Sequence, residues 1–115
     1  MESKITISKI EEFQMLISSK IACLFYFSTN SCSVGEALDI KVQSLVQAEF
    51  PKMNFYYVDL NSAPELSAFY SVFVEPTILV FFEGKESFRK SRHIGMLELK
   101  KSIQRPYDFI FDNSL

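Results

Sequence analysis

Few residues in this chain can do covalent chemistry under mild conditions. It holds two cysteines, Cys23 and Cys32, and one histidine, His93. Cys32 closes the polar run Ser28-Thr29-Asn30-Ser31, which follows an almost wholly apolar stretch, IACLFYF, from Ile21 to Phe27. Such a succession puts the thiol where a strand hands over to a helix. Unpaired backbone N–H groups and the helix dipole at a helix start favour a thiolate over a thiol. Cysteines so placed reach pKa values of about 3.5–7.5 rather than about 8.5, and the dipole alone supplies about one unit at most. A thiolate there can attack a disulfide and form a mixed disulfide. The competing reading of Cys32 is an idle cysteine at the solvent edge. Cys23, inside the apolar stretch, reads as a small core hydrophobe. The two cysteines are not expected to pair: strand residues advance about 3.3 Å each, and a disulfide needs Cα atoms within about 7 Å. One histidine and two cysteines make no zinc set, so neither metal nor cofactor is expected. His93, in a basic segment with Lys90 and Arg92 on the last strand, reads as a surface residue.

The elements that must hold these residues follow one another closely. Lys4–Ile7 reads as a short first strand. Ser8 with Glu11 has the spacing of a capping box, and Ile10, Phe13, Leu16 and Ile17 carry the helical period through about Ser18. Ile21–Phe27 is apolar on both faces, as in a central strand covered by helices on each side. A second helix begins near Cys32, buries Val34, Leu38, Val42, Leu45 and Val46, and ends by Phe50 because Pro51 follows. Asn54–Leu60 is a third strand. Ser62 and Glu65 cap a helix reaching about Tyr70, and Thr77–Phe82 is a fourth strand. Glu83-Gly84 turns the chain back into a fifth, Phe88–Ile94. A last helix, entered at Gly95, is stopped by Pro106, leaving a tail with Tyr107, Phe109 and Phe111 on alternate residues. The order βαβαβαββα predicts an α/β fold: a central mixed five-stranded sheet flanked by four helices in three layers. The domain is expected over 1–105 and the aromatic tail over 106–115.

Composition narrows the classes of function. The chain has 115 residues, 48% of them hydrophobic, with twelve Phe, so it can bury a core without disulfide or metal staples. Its formal charge of −2 offers no basic field for nucleic acid or an anionic membrane. No apolar run approaches the ~18 residues a membrane span needs. The opening MESKITISKIEEF does not read as a signal peptide, which predicts a cytoplasmic protein.

Pro76 supplies the second feature of a site. In open α/β sheets, sites form beyond the C-terminal ends of the parallel strands. If the strand beginning at Thr77 runs antiparallel to the one ending at Phe27, its start lies on the rim that holds Cys32. Proline there donates no ladder hydrogen bond and leaves neighbouring backbone to receive an extended peptide. The groove would comprise Ser31, Ser33, Val34 and Gly35 on one side and Glu75, Pro76 and Thr77 on the other.

At these residues the chain resembles the thioredoxin family, over its whole length to about Ile103. The likeness rests on the element order, on Leu24-Phe25-Tyr26-Phe27 leading to Cys32, on Val58-Asp59-Leu60-Asn61, on Glu75-Pro76-Thr77 before an apolar strand, on Glu83-Gly84, and on Gly95 before the last helix. It implies a thioredoxin-like sandwich, a cis peptide bond at Pro76, and Cys32 as the attacking cysteine. The departures are equally specific. Where disulfide-reducing members carry W-C-G-P-C, this chain has Ser31-Cys32-Ser33-Val34-Gly35, so Gly35 stands where the resolving cysteine would be. Tyr26 matches the family's buried acid, and Ser28 and Ser31 stand at tryptophan positions. The resemblance therefore implies single-thiol chemistry in cell redox homeostasis, acting on protein thiols and disulfides and completed by an external thiol such as glutathione. The alternative is a non-catalytic module that binds an extended peptide in the same groove. Neither nucleic acid nor membrane is expected as a partner.

Overall fold

The computed structural model describes residues 5–29 and 33–111, with backbone alone over 33–36. Its elements are α1 (Ile10–Ser19), β1 (Ala22–Ser28), α2 (Ser33–Glu49), β2 (Asn54–Asp59), α3 (Pro64–Phe69), β3 (Thr77–Phe82), β4 (Lys85–Ser91) and α4 (Met96–Phe111). The strands form one mixed sheet in the order β2-β1-β3-β4. β1 runs parallel to β2 and antiparallel to β3, and β4 returns antiparallel on the outer edge.

Period-two alternation sorts the central strands into two cores. Ala22, Leu24 and Tyr26 of β1 join Ile78, Val80 and Phe82 of β3 on one face, beneath Val42 and Val46 of α2 and Leu99, Ile103 and Tyr107 of α4. Cys23, Phe25 and Phe27 join Leu79 and Phe81 on the other, beneath Phe13 of α1 and Leu66 of α3. The result is the expected three-layer α/β sandwich. Phe13 anchors the second face: its ring stacks on Phe25 at 3.8 Å and Tyr70 at 4.3 Å, with Phe81 edge-on at 5.7 Å. Each such buried ring contributes about 1.5–3 kcal/mol.

Five local expectations are corrected. The sheet has four strands, not five. The segment expected as a first strand makes a single parallel bridge, Thr6 to Tyr57, with Ile7 N–H donating to Tyr57 O (2.8 Å) and Tyr57 N–H to Ile5 O (2.9 Å). Ile7 is buried at once and the chain turns into α1, so no longer ladder forms. That helix starts later than a Ser8 cap would place it: Lys9 is the N-cap, and Glu12, not Glu11, accepts the Ser8 N–H (3.4 Å). At α3 the cap is Ala63 rather than Ser62, because Pro64 fills the first helical position and Ser62 is drawn back to Asp59 O.

The strand expected over Phe88–Ile94 is β4, which begins at Lys85 and ends at Ser91, where Arg92 takes φ 64°. The hairpin is tighter than a Phe88 start requires: Glu83 (φ 54°) and Gly84 (φ 84°) form a two-residue turn of the type whose twist matches paired strands. Finally, α4 runs through Pro106 to Phe111. Proline costs a helix interior about 3 kcal/mol. Packing of Tyr107 offsets it: the ring is buried against Phe50 (5.0 Å) and Phe111 (4.7 Å), and its hydroxyl accepts the Lys52 N–H at 3.0 Å. The alternation of Tyr107, Phe109 and Phe111 thus resolves into helical spacing, with 107 and 111 inward and Phe109 outward. Among the described residues, no helix is long and apolar enough to cross a membrane, and no group of three metal-ligating side chains gathers.

Candidate functional site

The antiparallel register of β1 and β3 decides where the candidate residues meet. Phe27 is opposite Thr77, so the end of β1 and the start of β3 share one rim of the sheet. α2 starts at Ser33 on the chain that leaves that rim. Its first turn contains Ser33, Val34 and Gly35, placed by backbone alone. Ser31 and Cys32 lie outside the described residues, so their part in the expected groove rests on sequence.

On the β3 side every expected residue is defined. The Glu75–Pro76 peptide bond is cis. Pro76 O accepts the Arg92 N–H at 2.8 Å. Thr77 is buried; its hydroxyl donates to Val74 O at 2.7 Å and lies 3.1 Å from Ser91 Oγ. Pro76 is buried too, and Glu75 is half-buried. The three therefore form a fixed ledge, and Glu75 is its more open member.

Glu75 is tied across the rim: Thr29 Oγ1 donates to Glu75 Oε2 at 3.0 Å. This bond joins residues 46 apart in sequence and fixes the exit from β1 against the residue before Pro76. Sequence reasoning missed it, and no local spacing could have signalled it. Below it lie Ser28, whose buried Oγ has no hydrogen-bond partner among the described residues, and Tyr26, fully buried and stacked on Tyr57 at 6.2 Å. Tyr26 packs in the sheet, as expected.

Cys23 occupies the other end of β1. It is a free cysteine, fully buried, with its Sγ donating to Leu16 O at 3.8 Å. Burial pushes its thiol from an ordinary 9.0 up to about 12, against a smaller opposing pull from the Lys20 ammonium. Five residue steps along β1, roughly 16 Å, separate it from Ser28 at the rim. It is the inert core cysteine the sequence suggested. His93 is exposed just beyond the end of β4. It shares a surface cleft of about 570 Å³ with Lys41 and Arg92, next to the Pro76 ledge. That cleft was also invisible in the sequence, because α2 and the segment after β4 meet only in the fold.

Comparison with known proteins adds to this geometry. No family model matches the chain. A curated relative, the thioredoxin-like protein YdfQ of Bacillus subtilis (strain 168), is 27% identical over 82 residues, covering 71% of this chain and 72% of the relative. Mitochondrial thioredoxin 3 from Saccharomyces cerevisiae, in its oxidised form, superposes with a TM-score of 0.78 at 20% identity, over 88% of this chain and 93% of its own. The chain has the thioredoxin fold. Plasmodium falciparum thioredoxin superposes equally well (TM-score 0.78, 19% identity, 88% of this chain and 97% of that one). A chain from work on the thiol-resolving mechanism of yeast mitochondrial 1-Cys peroxiredoxin via the glutathione and thioredoxin systems reaches a TM-score of 0.81 at 20% identity, covering 89% and 94%. In this thioredoxin-like chain, Cys23 is buried at the opposite end of β1 from the rim, and position 35 holds glycine.

Proposed function

We propose that this thioredoxin-like protein acts in thiol–disulfide exchange through Cys32 alone. The observation that carries the reading is the sealing of Cys23. With that thiol buried and held protonated to about pH 12, Cys32 is the one cysteine left for chemistry, and it stands in sequence immediately before α2. The Glu75–Pro76 ledge, held by Thr29 and Arg92, is a fixed surface on which a partner's backbone can rest beside it.

The Cys32 thiolate attacks one sulfur of a partner disulfide, R–S–S–R′. A Cys32–S–S–R bond forms, the S–S bond breaks, and R′–S⁻ leaves with the electron pair. Cys23, buried in the core with its thiol held protonated, is not available to attack this mixed disulfide. An external thiolate of the glutathione class attacks the R sulfur, forms a disulfide with R, and returns Cys32 as thiolate. One partner disulfide is thereby exchanged for another, and the protein undergoes no net redox change.

The test is trapping. Reduced protein incubated with a peptide disulfide should gain the mass of one half-disulfide, at Cys32 only, and lose it on addition of glutathione. Absence of any adduct across pH 6–9 would refute the redox reading. Undiminished partner binding by Cys32→Ser would then favour the groove as a non-catalytic peptide-binding module.

A further inference from the structure

The cleft beside the ledge differs in chemistry from the rest of the molecule. The chain carries a formal charge of −2, yet Lys41, Arg92 and His93 converge on one recess, with Leu38 and Ile94 as its apolar floor. Among the described residues, none of its lining side chains is acidic. Among the described residues, neither Lys41 nor Arg92 has a carboxylate partner. At its edge on the α4 side stands Glu98, whose Oε1 would lie 3.9 Å from a Cβ placed on Gly95. Elsewhere Asp39 of α2 is buried and accepts a hydrogen bond from Gln43. Two cations and an imidazole are therefore left facing solvent.

The backbone at Arg92 is the second observation. Its φ of 64° lies in the left-handed region, where glycine is the residue without strain. Its N–H is spent on Pro76 O, and that bond needs no side chain. The backbone therefore fixes where this side chain starts, at the border of the cleft and one hydrogen bond from the ledge.

We infer that the Lys41–Arg92–His93 cleft binds acidic residues flanking the reacting cysteine of a partner peptide, selecting acidic disulfide partners for the Cys32 chemistry proposed above, on which this inference rests. A peptide crossing the Glu75–Pro76 ledge would continue over Arg92 and could place Asp or Glu side chains against both cations. Exposed pairs of this kind act mainly on association and specificity, and they are screened by salt.

The experiment uses three peptide disulfides identical except for flanking Glu, Gln or Lys. At low ionic strength the acidic peptide should form the mixed disulfide about five- to tenfold faster than the Gln peptide, and the Lys peptide slower still. The preference should shrink at about 0.5 M salt and vanish in Lys41→Gln/Arg92→Gly. Arg92→Gly should keep or raise the melting temperature, so a lost preference cannot be ascribed to misfolding. Equal rates for the three peptides, or a preference that survives the double variant, would overturn the inference. If no peptide forms a mixed disulfide, the redox reading falls and the cleft is judged separately. Thiol-free versions of the three peptides are then titrated into Cys32→Ser: tighter binding of the acidic one supports the cleft, and equal binding rejects it.

Discussion

Cys23 provides the sharpest quantitative expectation, because the single-thiol reading needs it to be silent. Only the thiolate is nucleophilic, and a thiol raised from 9.0 to about 12 has about a thousandfold less thiolate at any pH below 9. At pH 8 a free thiol of pKa 9 is about one-tenth ionised, whereas Cys23 would be about one part in ten thousand. Steric exclusion beneath α1 slows it further. In Cys32→Ser, alkylation of the native protein at pH 8 should be at least a thousandfold slower than in urea, where Cys23 should react like a free thiol. The parent protein should show one fast thiol and one silent one, counted by mass. The same shift fixes the sign of a stability effect. The folded pKa lies above the unfolded one, so the unfolded chain gives up its proton first as pH rises. The contribution of the neutral buried thiol is complete below about pH 9 and is lost between there and about pH 12, by roughly 1.4 kcal/mol per pH unit at most. Burial also raises Tyr56 and Tyr70, so the measurement is the difference between parent and Cys23→Ala in urea unfolding at pH 7 and pH 10.5. Fast native labelling of Cys32→Ser, or an unchanged alkaline slope in Cys23→Ala, would refute the reasoning.

Three further substitutions test the supports of the site and fold. Thr29→Val removes the donor to Glu75 and should cost about 1–2 kcal/mol in urea unfolding, with Glu75→Gln, which keeps an acceptor, costing less. Pro106→Ala restores an N–H inside α4 and should stabilise by about 1–2 kcal/mol; a loss of stability would mean that the ring packs as a needed surface. Glu83→Asn puts a residue tolerant of φ 54° into the hairpin turn and should raise stability by about 0.5–1 kcal/mol, read as a shift of the urea midpoint at constant slope.

What the sequence disclosed follows the range of the forces involved. β1 was legible because burial on both faces leaves an unbroken apolar run, and β3 because its six residues are almost all apolar. The end of α2 was legible from Pro51, and the hairpin from Glu83-Gly84, since both are set within two or three residues. The rim was legible at one remove, through the topology that makes β3 antiparallel to β1. What escaped depends on partners distant in sequence. Pro106 is a stop signal locally, and only the Tyr107 contacts with Phe50 and Lys52 keep the helix going. Thr29 looked like a turn residue until Glu75 came to meet it. Lys41 and Arg92 are ordinary surface cations in sequence and become a cleft only when α2 packs beside the segment after β4.

Gly35 offers the most direct trial of the chemistry, because there the missing function can be restored. It occupies the third position of α2, three residues after Cys32 in sequence. Residues three apart on a helix share a face, with Cβ atoms about 5–6 Å apart. A disulfide needs Cβ atoms about 3.5–4.5 Å apart, so bridging 32 and 35 asks the first turn to tighten by about 1–2 Å. Replacing glycine inside a helix also recovers part of about 1 kcal/mol of propensity, so Gly35→Cys should fold. The thiolate introduced at position 35 would attack the Cys32 sulfur of the mixed disulfide, expel the partner as a thiolate, and leave an intramolecular disulfide. The exchange becomes a net two-electron reduction of the partner, and turnover then requires a dithiol reductant. The variant should reduce a protein disulfide catalytically where the parent stalls, and mass analysis should find it two hydrogens lighter after one turnover. A folded variant that forms the Cys32 adduct but never closes the internal bridge would show that positions 32 and 35 do not share a helical face, and would remove the geometric basis for reading Cys32 as the attacking thiol.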